Sequence, residues 1–271
     1  MNAAHPDGGG VLDIATITRA DHWIDDVLPR FAGLIDRNCA GPVRKHLLLL
    51  TDHSDADRAE AERQSVAARL GTLFDRVVTK YEPKKTDGSR LLDYDAARAG
   101  LVADLGIDEV LYLDPDTDVV EDLGEIRSIA PEADLLWVAN PLGLRPVAED
   151  LVVHGFIRGS GIPVVLLEPG FLYLRRDLRD EFSRLVARYP IVNEFAAGST
   201  YWNMLMRSLG PRAVRLPDVF NRTFWDVSAA AGHAKTVHFT GRWKQLQPFL
   251  TYDRANRRII ISDEPRRGIS R

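Results

Sequence analysis

Short apolar runs alternate along this chain with longer amphipathic stretches. Residues 11–18 (VLDIATIT), 45–51 (KHLLLLT), 110–113 (VLYL), 133–139 (ADLLWVA), 164–174 (VVLLEPGFLYL) and 236–239 (TVHF) are rich in strand formers and bounded by turn residues, so each predicts a buried strand. Val77-Val78 and residues 214–218 predict two shorter ones. Between them the apolar spacing becomes helical. Trp23, Ile24, Val27, Leu28, Phe31 and Leu34 share one face of a helix that Asp21 caps. Residues 55–72, 93–105, 177–189 and 193–209 read as further helices, and 122–129 as a short one. Glu168-Pro169-Gly170 breaks the run 164–174, because proline donates nothing to a ladder. Residues 80–92 predict a polar loop, 140–161 an irregular, Gly/Pro-punctuated binding loop, and 1–10 a disordered start.

Strands alternating with helices predict an α/β fold, a mostly parallel sheet covered on both faces. The chain has 271 residues, enough for one large α/β domain or two small ones, and its 45% hydrophobic and 27% charged content is that of a globular protein. A net charge of -4 lacks the basic balance of a general nucleic-acid binder, so no nucleic-acid partner is expected. Cys39 is the single cysteine, which rules out an intramolecular disulfide and fits a reducing compartment. The opening MNAAHPDGGG has no apolar core of a signal peptide, and no apolar run could span a bilayer, so a soluble, cytoplasmic protein is expected. Residues 253–271 carry Arg254, Arg257, Arg258, Arg266, Arg267 and Arg271, and read as a mobile basic tail able to touch an anionic membrane surface weakly.

The chemistry concentrates in EVLYLDPDTDVV, residues 109–120. A buried strand ends at Pro115, which sets Asp114 and Asp116 just past its carboxyl end, the edge at which open α/β sheets bind ligands. Two ionised carboxylates so close are costly to dehydrate without a partner. A divalent cation with oxygen ligands would be such a partner and could bridge to a diphosphate. The alternative is an acidic turn in which Asp114 and Asp118 accept from nearby backbone N–H groups. The hydroxyls of Thr16 and Thr18 close the first strand and could face a nucleotide or simply end the strand. Lys84, Lys85 and Arg90 could approach phosphates or form a solvated charge run, and Arg98 reads equally as a ligand-edge or a surface arginine.

A second stretch, His238-Phe239-Thr240-Gly241-Arg242-Trp243-Lys244, follows the last apolar strand. Gly241 lets backbone N–H groups approach a phosphate, and Lys244 adds a point charge. An imidazole, two carboxylates and phosphate oxygens make a mixed N/O set suited to Mn²⁺ or Mg²⁺.

LYLDPDTDVV together with HFTGRWK resembles the GT-A glycosyltransferases, and among them the family 8 pattern L-Y-x-D-x-D-x-x-V followed near the C-terminus by H-x-x-G-x-x-K. DIATIT, the helix around Arg98, EPGFLYLRRD and LPDVFN at 216–221 are further echoes, and the resemblance runs from about residue 12 to 250. It implies a GT-A (Rossmann-like) mixed sheet in one domain, residues 11–252, with a nucleotide-binding half to 122 and an acceptor half after it. Asp114, Asp116 and His238 would hold the metal, usually Mn²⁺. Gly241 and Lys244 would meet the diphosphate of a nucleotide-sugar donor, often UDP-linked. The first strand, at Ala15, Thr16 and Thr18, would meet base and ribose, and a glycan or other hydroxyl would accept the sugar.

The chain also departs from the pattern. The family's N-x-G reads Glu168-Pro169-Gly170, so Gly170 matches and the Asn does not; its Asp-Gln pair aligns with Gly198-Ser199, and its Pro-Trp after the lysine with Gln245-Leu246. Glu168, an acid inside an apolar strand, is the candidate catalytic carboxylate, binding donor hydroxyls or acting as a base on the acceptor; it also reads as an acid at a sheet edge. Glu194 is a second candidate. Trp202, Trp225 and Trp243 could stack on sugar rings or fill core and rim. Two competing readings remain: a haloacid-dehalogenase-type phosphatase using Asp116-Thr117-Asp118, and a GT-A protein that binds a nucleotide sugar without turnover.

Overall fold

Five of the six longer apolar runs form strands of one sheet, and the sixth, residues 236–239, joins a second. The computed structural model describes residues 10–21, 23–83, 90–140, 145–158, 165–191, 197–223, 233–239, 250–253 and 258–261. Its strands are β1 (Leu12–Arg19), β2 (Val43–Thr51), β3 (Arg76–Tyr81), β4 (Val110–Leu113), β5 (Thr117–Val119), β6 (Leu135–Asn140), β7 (Leu166–Leu174), β8 (Ala213–Arg215), β9 (Arg222–Thr223), β10 (Thr236–His238), β11 (Leu250–Asp253) and β12 (Arg258–Ile261). Its helices are α1 (Trp23–Asp26), α2 (Leu28–Asn38), α3 (Ala56–Leu70), α4 (Arg90–Ala99), α5 (Leu101–Leu105), α6 (Arg145–Val153), α7 (Arg179–Arg188) and α8 (Ala197–Leu209).

Seven strands make the main sheet, in the order β3-β2-β1-β4-β7-β6-β8. β3, β2, β1 and β4 run parallel, as do β6 and β8, while β7 is antiparallel to both β4 and β6. Successive residues of a strand point to opposite faces. Ala15, Leu48, Leu50 and Tyr112 therefore join one core with Phe182 and Trp202, whereas Ile14, Leu47, Leu49 and Leu111 join the other with Phe31 and Leu70. Burial on both faces explains why LLLL is unbroken by polar residues. Each fully buried leucine contributes about 1.5–3 kcal/mol.

Several expectations need correction. The helix over 23–34 is two, α1 and α2, with Pro29 in the first turn of α2, where its missing N–H costs nothing. The stretch 93–105 likewise divides at Gly100 into α4 and α5. The loop 140–161 contains α6, which buries Val147 and Leu151 one turn apart; the surrounding glycines and prolines masked that spacing. Gly124–Ser128 is a 3₁₀ turn. β7 runs through Pro169 without ending. Between the pairs Trp137↔Leu172 and Ala139↔Leu167, one residue of β6, Val138, faces four of β7, residues 168–171. Glu168-Pro169-Gly170 is thus a bulge, a place where proline's missing donor does no harm. β12 lies within the basic tail and pairs antiparallel with β11, from Leu250↔Ile261 to Asp253↔Arg258. No helix among the described residues is long and apolar enough to cross a membrane.

A second sheet, β5-β10-β9, decides where the chain's last third goes. β10 pairs antiparallel with β5 through Thr236↔Val119, Val237↔Asp118 and His238↔Thr117. Thr236 ties it to the segment before β9, its hydroxyl lying 2.7 Å from the Phe220 carbonyl and 2.9 Å from Asn221 Oδ1.

Candidate active site

The centre is built at the carboxyl end of β4. Phe239 N–H donates to the Asp116 carbonyl at 3.0 Å, which extends the β5–β10 ladder and places His238 over the acidic turn. His238 Nε2 stands 3.3 Å from Asp116 Oδ1 and 3.6 Å from Asp114 Oδ2. One ligand atom from each of Asp114, Asp116 and His238 lies within 4.8 Å of the others. Ligands about 2.1 Å from a small divalent ion and at right angles to one another stand about 3 Å apart. The donor set is therefore the size for one ion, and its chemistry, one imidazole nitrogen and two carboxylate oxygens, suits Mn²⁺ or Mg²⁺. Among the described residues it is the one group of three or more His, Cys, Asp or Glu side chains placed to hold an ion.

β7 supplies the opposite wall. Because it runs antiparallel to β4, its early residues reach the end where β4 stops, and Asp114 N–H donates to the Gly170 carbonyl at 2.9 Å. A Cβ on Gly170 would lie 2.5 Å from His238 Cε1 and 2.8 Å from Asp114 Oδ2. Glycine is required there so that the imidazole and the carboxylate can meet across the strand. Glu168, 8% exposed, is held by Asn140, whose Nδ2 donates to its Oε2 at 2.8 Å, and by Gly170 N–H, which donates to Oε1 at 3.2 Å. Glu168 Oε1 also lies 3.9 Å from His238 Nδ1, so the two imidazole nitrogens face different carboxylates.

Arg98 from α4 locks the first acid. Its guanidinium donates to Asp114 Oδ1 and to Asp95 Oδ1, both at 2.7 Å, and lies 4.8 Å above the Tyr112 ring. The Tyr112 hydroxyl donates to the same Asp114 oxygen. With Oδ1 engaged by two donors, Oδ2 is the atom turned toward His238.

Burial lowers the basicity of the His238 imidazole, but Asp116 above all, with Glu168 and Asp114, outweighs it and holds the pKa up at about 9. Burial raises the Glu168 carboxyl against the attraction of His238, and Asp114 adds to the rise. Burial likewise pushes Asp95 up to about 6 although Arg98 pulls it down. The Tyr112 phenol rises well above its usual range through burial, so it stays a donor.

The structure thus brings Asp114, Asp116, His238, Gly170, Glu168 and Arg98 together. Of the other expected residues, the structure describes Ala15, Thr16, Thr18, Asp118 and Trp202. Ala15 is buried in the core of the main sheet. Thr16 is fully buried, its hydroxyl without a hydrogen-bond partner among the described residues, and Thr18 donates to the Arg19 carbonyl at 3.2 Å. Asp118 is paired with Arg30 of α2 and stands outside the cluster. Trp202 is a core residue, its ring 5.5 Å from Phe182. Lys84, Lys85, Glu194, Trp225, Gly241, Trp243 and Lys244 lie outside the described residues, as does the side chain of Arg90. Tyr112, Asn140 and Asp95 were not singled out in the sequence. Tyr112 was within reach, because a residue two before Asp114 on a strand shares its face.

No protein-family model matches the sequence, and no curated protein does. Solved structures do match. The galactosyltransferase LgtC, solved with donor and acceptor sugar analogues, superposes with a TM-score of 0.59 at 16% identity, over 88% of this chain and 89% of LgtC. The glycosyltransferase GlyE of Streptococcus pneumoniae TIGR4 gives 0.52 at 15% identity, over 85% of this chain and 55% of that one. The bifunctional glycosyltransferase WbbM gives 0.52 at 13%, over 89% of this chain and 47% of WbbM.

The chain has a GT-A glycosyltransferase fold.

In GT-A terms, the parallel strands β3 to β4 form the half in which the acidic turn ends, and β7 with β10 closes the centre from the other side.

Proposed function

We propose that this protein is a metal-dependent glycosyltransferase that moves a sugar from a nucleotide-diphosphate sugar, UDP-linked by its family 8 resemblance, to an acceptor hydroxyl in bacterial glycan synthesis. One observation carries the reading: the neighbouring acids Asp114 and Asp116 and the imidazole of His238, remote from them in sequence, converge at the ligand-binding edge of a GT-A fold. Asp114 Oδ2, Asp116 and His238 Nε2 would hold Mn²⁺ or Mg²⁺, which when bound neutralises charge on the leaving diphosphate. Gly170 keeps the wall low enough for those ligands. Asn140 and the Gly170 N–H fix Glu168 with its carboxyl toward the centre, where it would touch the donor sugar or take the proton of the acceptor hydroxyl. Burial, which raises its pKa, suits it to proton transfer. Gly241 and Lys244 would complete the diphosphate contacts.

The test is a thermal-shift screen of nucleotide sugars with and without Mn²⁺, followed by product analysis. A nucleotide sugar should raise the melting temperature only with the metal, and Asp116→Ala should abolish both the shift and turnover. Turnover retained by that variant would remove the basis of the proposal. Binding without product across many acceptors would identify a non-catalytic nucleotide-sugar binder.

A further inference from the structure

Asp95 and Gly198 come from different helices and occupy one volume. Asp95 lies on α4 and Gly198 near the start of α8. A Cβ built on Gly198 would fall 1.6 Å from Asp95 Oδ2 and 2.5 Å from its Cγ. No flexible adjustment resolves that overlap, because the Asp95 side chain is buried and its other oxygen, Oδ1, is held by Arg98 at 2.7 Å. Arg98, buried beside it, spans from Asp95 to Asp114 with two nitrogens of one planar fork. A fork of fixed geometry transmits position as a flexible lysine cannot.

We infer that Asp95 is a positioning residue for the metal ligand Asp114, acting through Arg98, and that Gly198 is glycine because the Asp95 carboxylate fills the place of a side chain there. Three links follow in order. The open side of α8 seats Asp95, Asp95 orients Arg98, and Arg98 with Tyr112 engages Asp114 Oδ1 so that Oδ2 faces His238. A partner that hydrogen-bonds a metal ligand, as Arg98 does, changes metal affinity by about 10–100-fold when removed, which bounds the effect of Asp95 one step further out. The geometry also implies an exchange. A carboxylate carried by residue 198 would start from a Cβ only 3.2 Å from the present Asp95 Oδ1, so an aspartate at 198 reaches Arg98 once the one at 95 is gone. The inference rests on the proposed metal site.

The readout is the affinity of the full-length protein for Mn²⁺, followed by the EPR signal of the free ion, with melting temperature measured alongside. Asp95→Asn, which keeps the shape and loses the charge, should weaken Mn²⁺ binding by up to about tenfold, and Asp95→Ala should do the same. Gly198→Asp alone should lower both affinity and melting temperature, because two carboxylates then compete for one place. Asp95→Ala combined with Gly198→Asp should recover most of the lost affinity. If Asp95 merely supported the start of α8, Asp95→Asn would change the melting temperature and leave Mn²⁺ affinity at the wild-type value, and that result overturns the inference. So does a folded double variant that binds Mn²⁺ no better than Asp95→Ala. Should Asp95→Ala fail to fold, Asp95→Asn decides alone. A wild-type protein that takes up no Mn²⁺ removes the metal reading itself, and this inference with it; uptake that is indifferent to residue 95 removes the inference only.

Discussion

At the scale of single residues, Gly170 and His238 set the limits of the centre. Gly170→Ala puts a methyl group 2.5 Å from the imidazole, so Mn²⁺ titration of this variant should show at least about tenfold weaker binding. His238 gives a pH signature. Its pKa, about 9 in the folded metal-free protein, is raised above the 6.5 of an ordinary histidine. The raised value means that its contribution to stability is complete below pH 6.5 and is lost as pH climbs through about 9. Denaturation of chelator-treated protein should therefore show a midpoint that falls over this window, and His238→Gln should flatten it. Asp95 does not interfere, since its rise from 3.8 to about 6 acts at lower pH. Asp114, Asp116 and His238 were all legible as ligand types, because a strand end followed by acids, and an imidazole after a strand, are local patterns. That Tyr112 and Arg98 share one oxygen of Asp114 was not, because it depends on how α4 lies over β4.

At the scale of elements, the bulge in β7 matters most. Glu168-Pro169-Gly170 reads locally as a chain break, yet β4 on one side, and β6 beyond the bulge, hold the segment in the sheet. α8 braces it. The fully buried Asn203 accepts from Leu167 N–H at 2.8 Å and donates to its carbonyl at 3.3 Å. Asn203→Ala leaves both groups of Leu167 without that amide and should cost about 1–3 kcal/mol in urea denaturation. Because Glu168 follows directly, turnover should fall by more than the loss of folded protein explains. α6 and β5 were illegible for opposite reasons. α6 is short and lies among glycines and prolines, whereas β5 reads as an acidic turn and becomes a strand only when β10 pairs with it.

At the scale of the molecule, the candidate site joins segments far apart in the chain, with β10 returning to the carboxyl end of β4. A ligand that touches both segments favours only the folded state. Mn²⁺ with UDP at about 100 times its dissociation constant should add about 2.7 kcal/mol, read as a raised melting temperature, and His238→Gln should abolish the increment. The sequence by itself determined the α/β class, the main strands and the residue types able to hold a divalent ion, since hydrophobic period and turn chemistry are properties of neighbours along the chain. Tertiary structure alone decided which of those residues meet. Pairing of β10 with β5 brings the imidazole to the acids, the antiparallel run of β7 brings Glu168 and Gly170, and the space left by Gly198 admits Asp95. Each of these is a distance between segments remote in sequence, set by sheet register and helix packing rather than by any local preference of the residues involved.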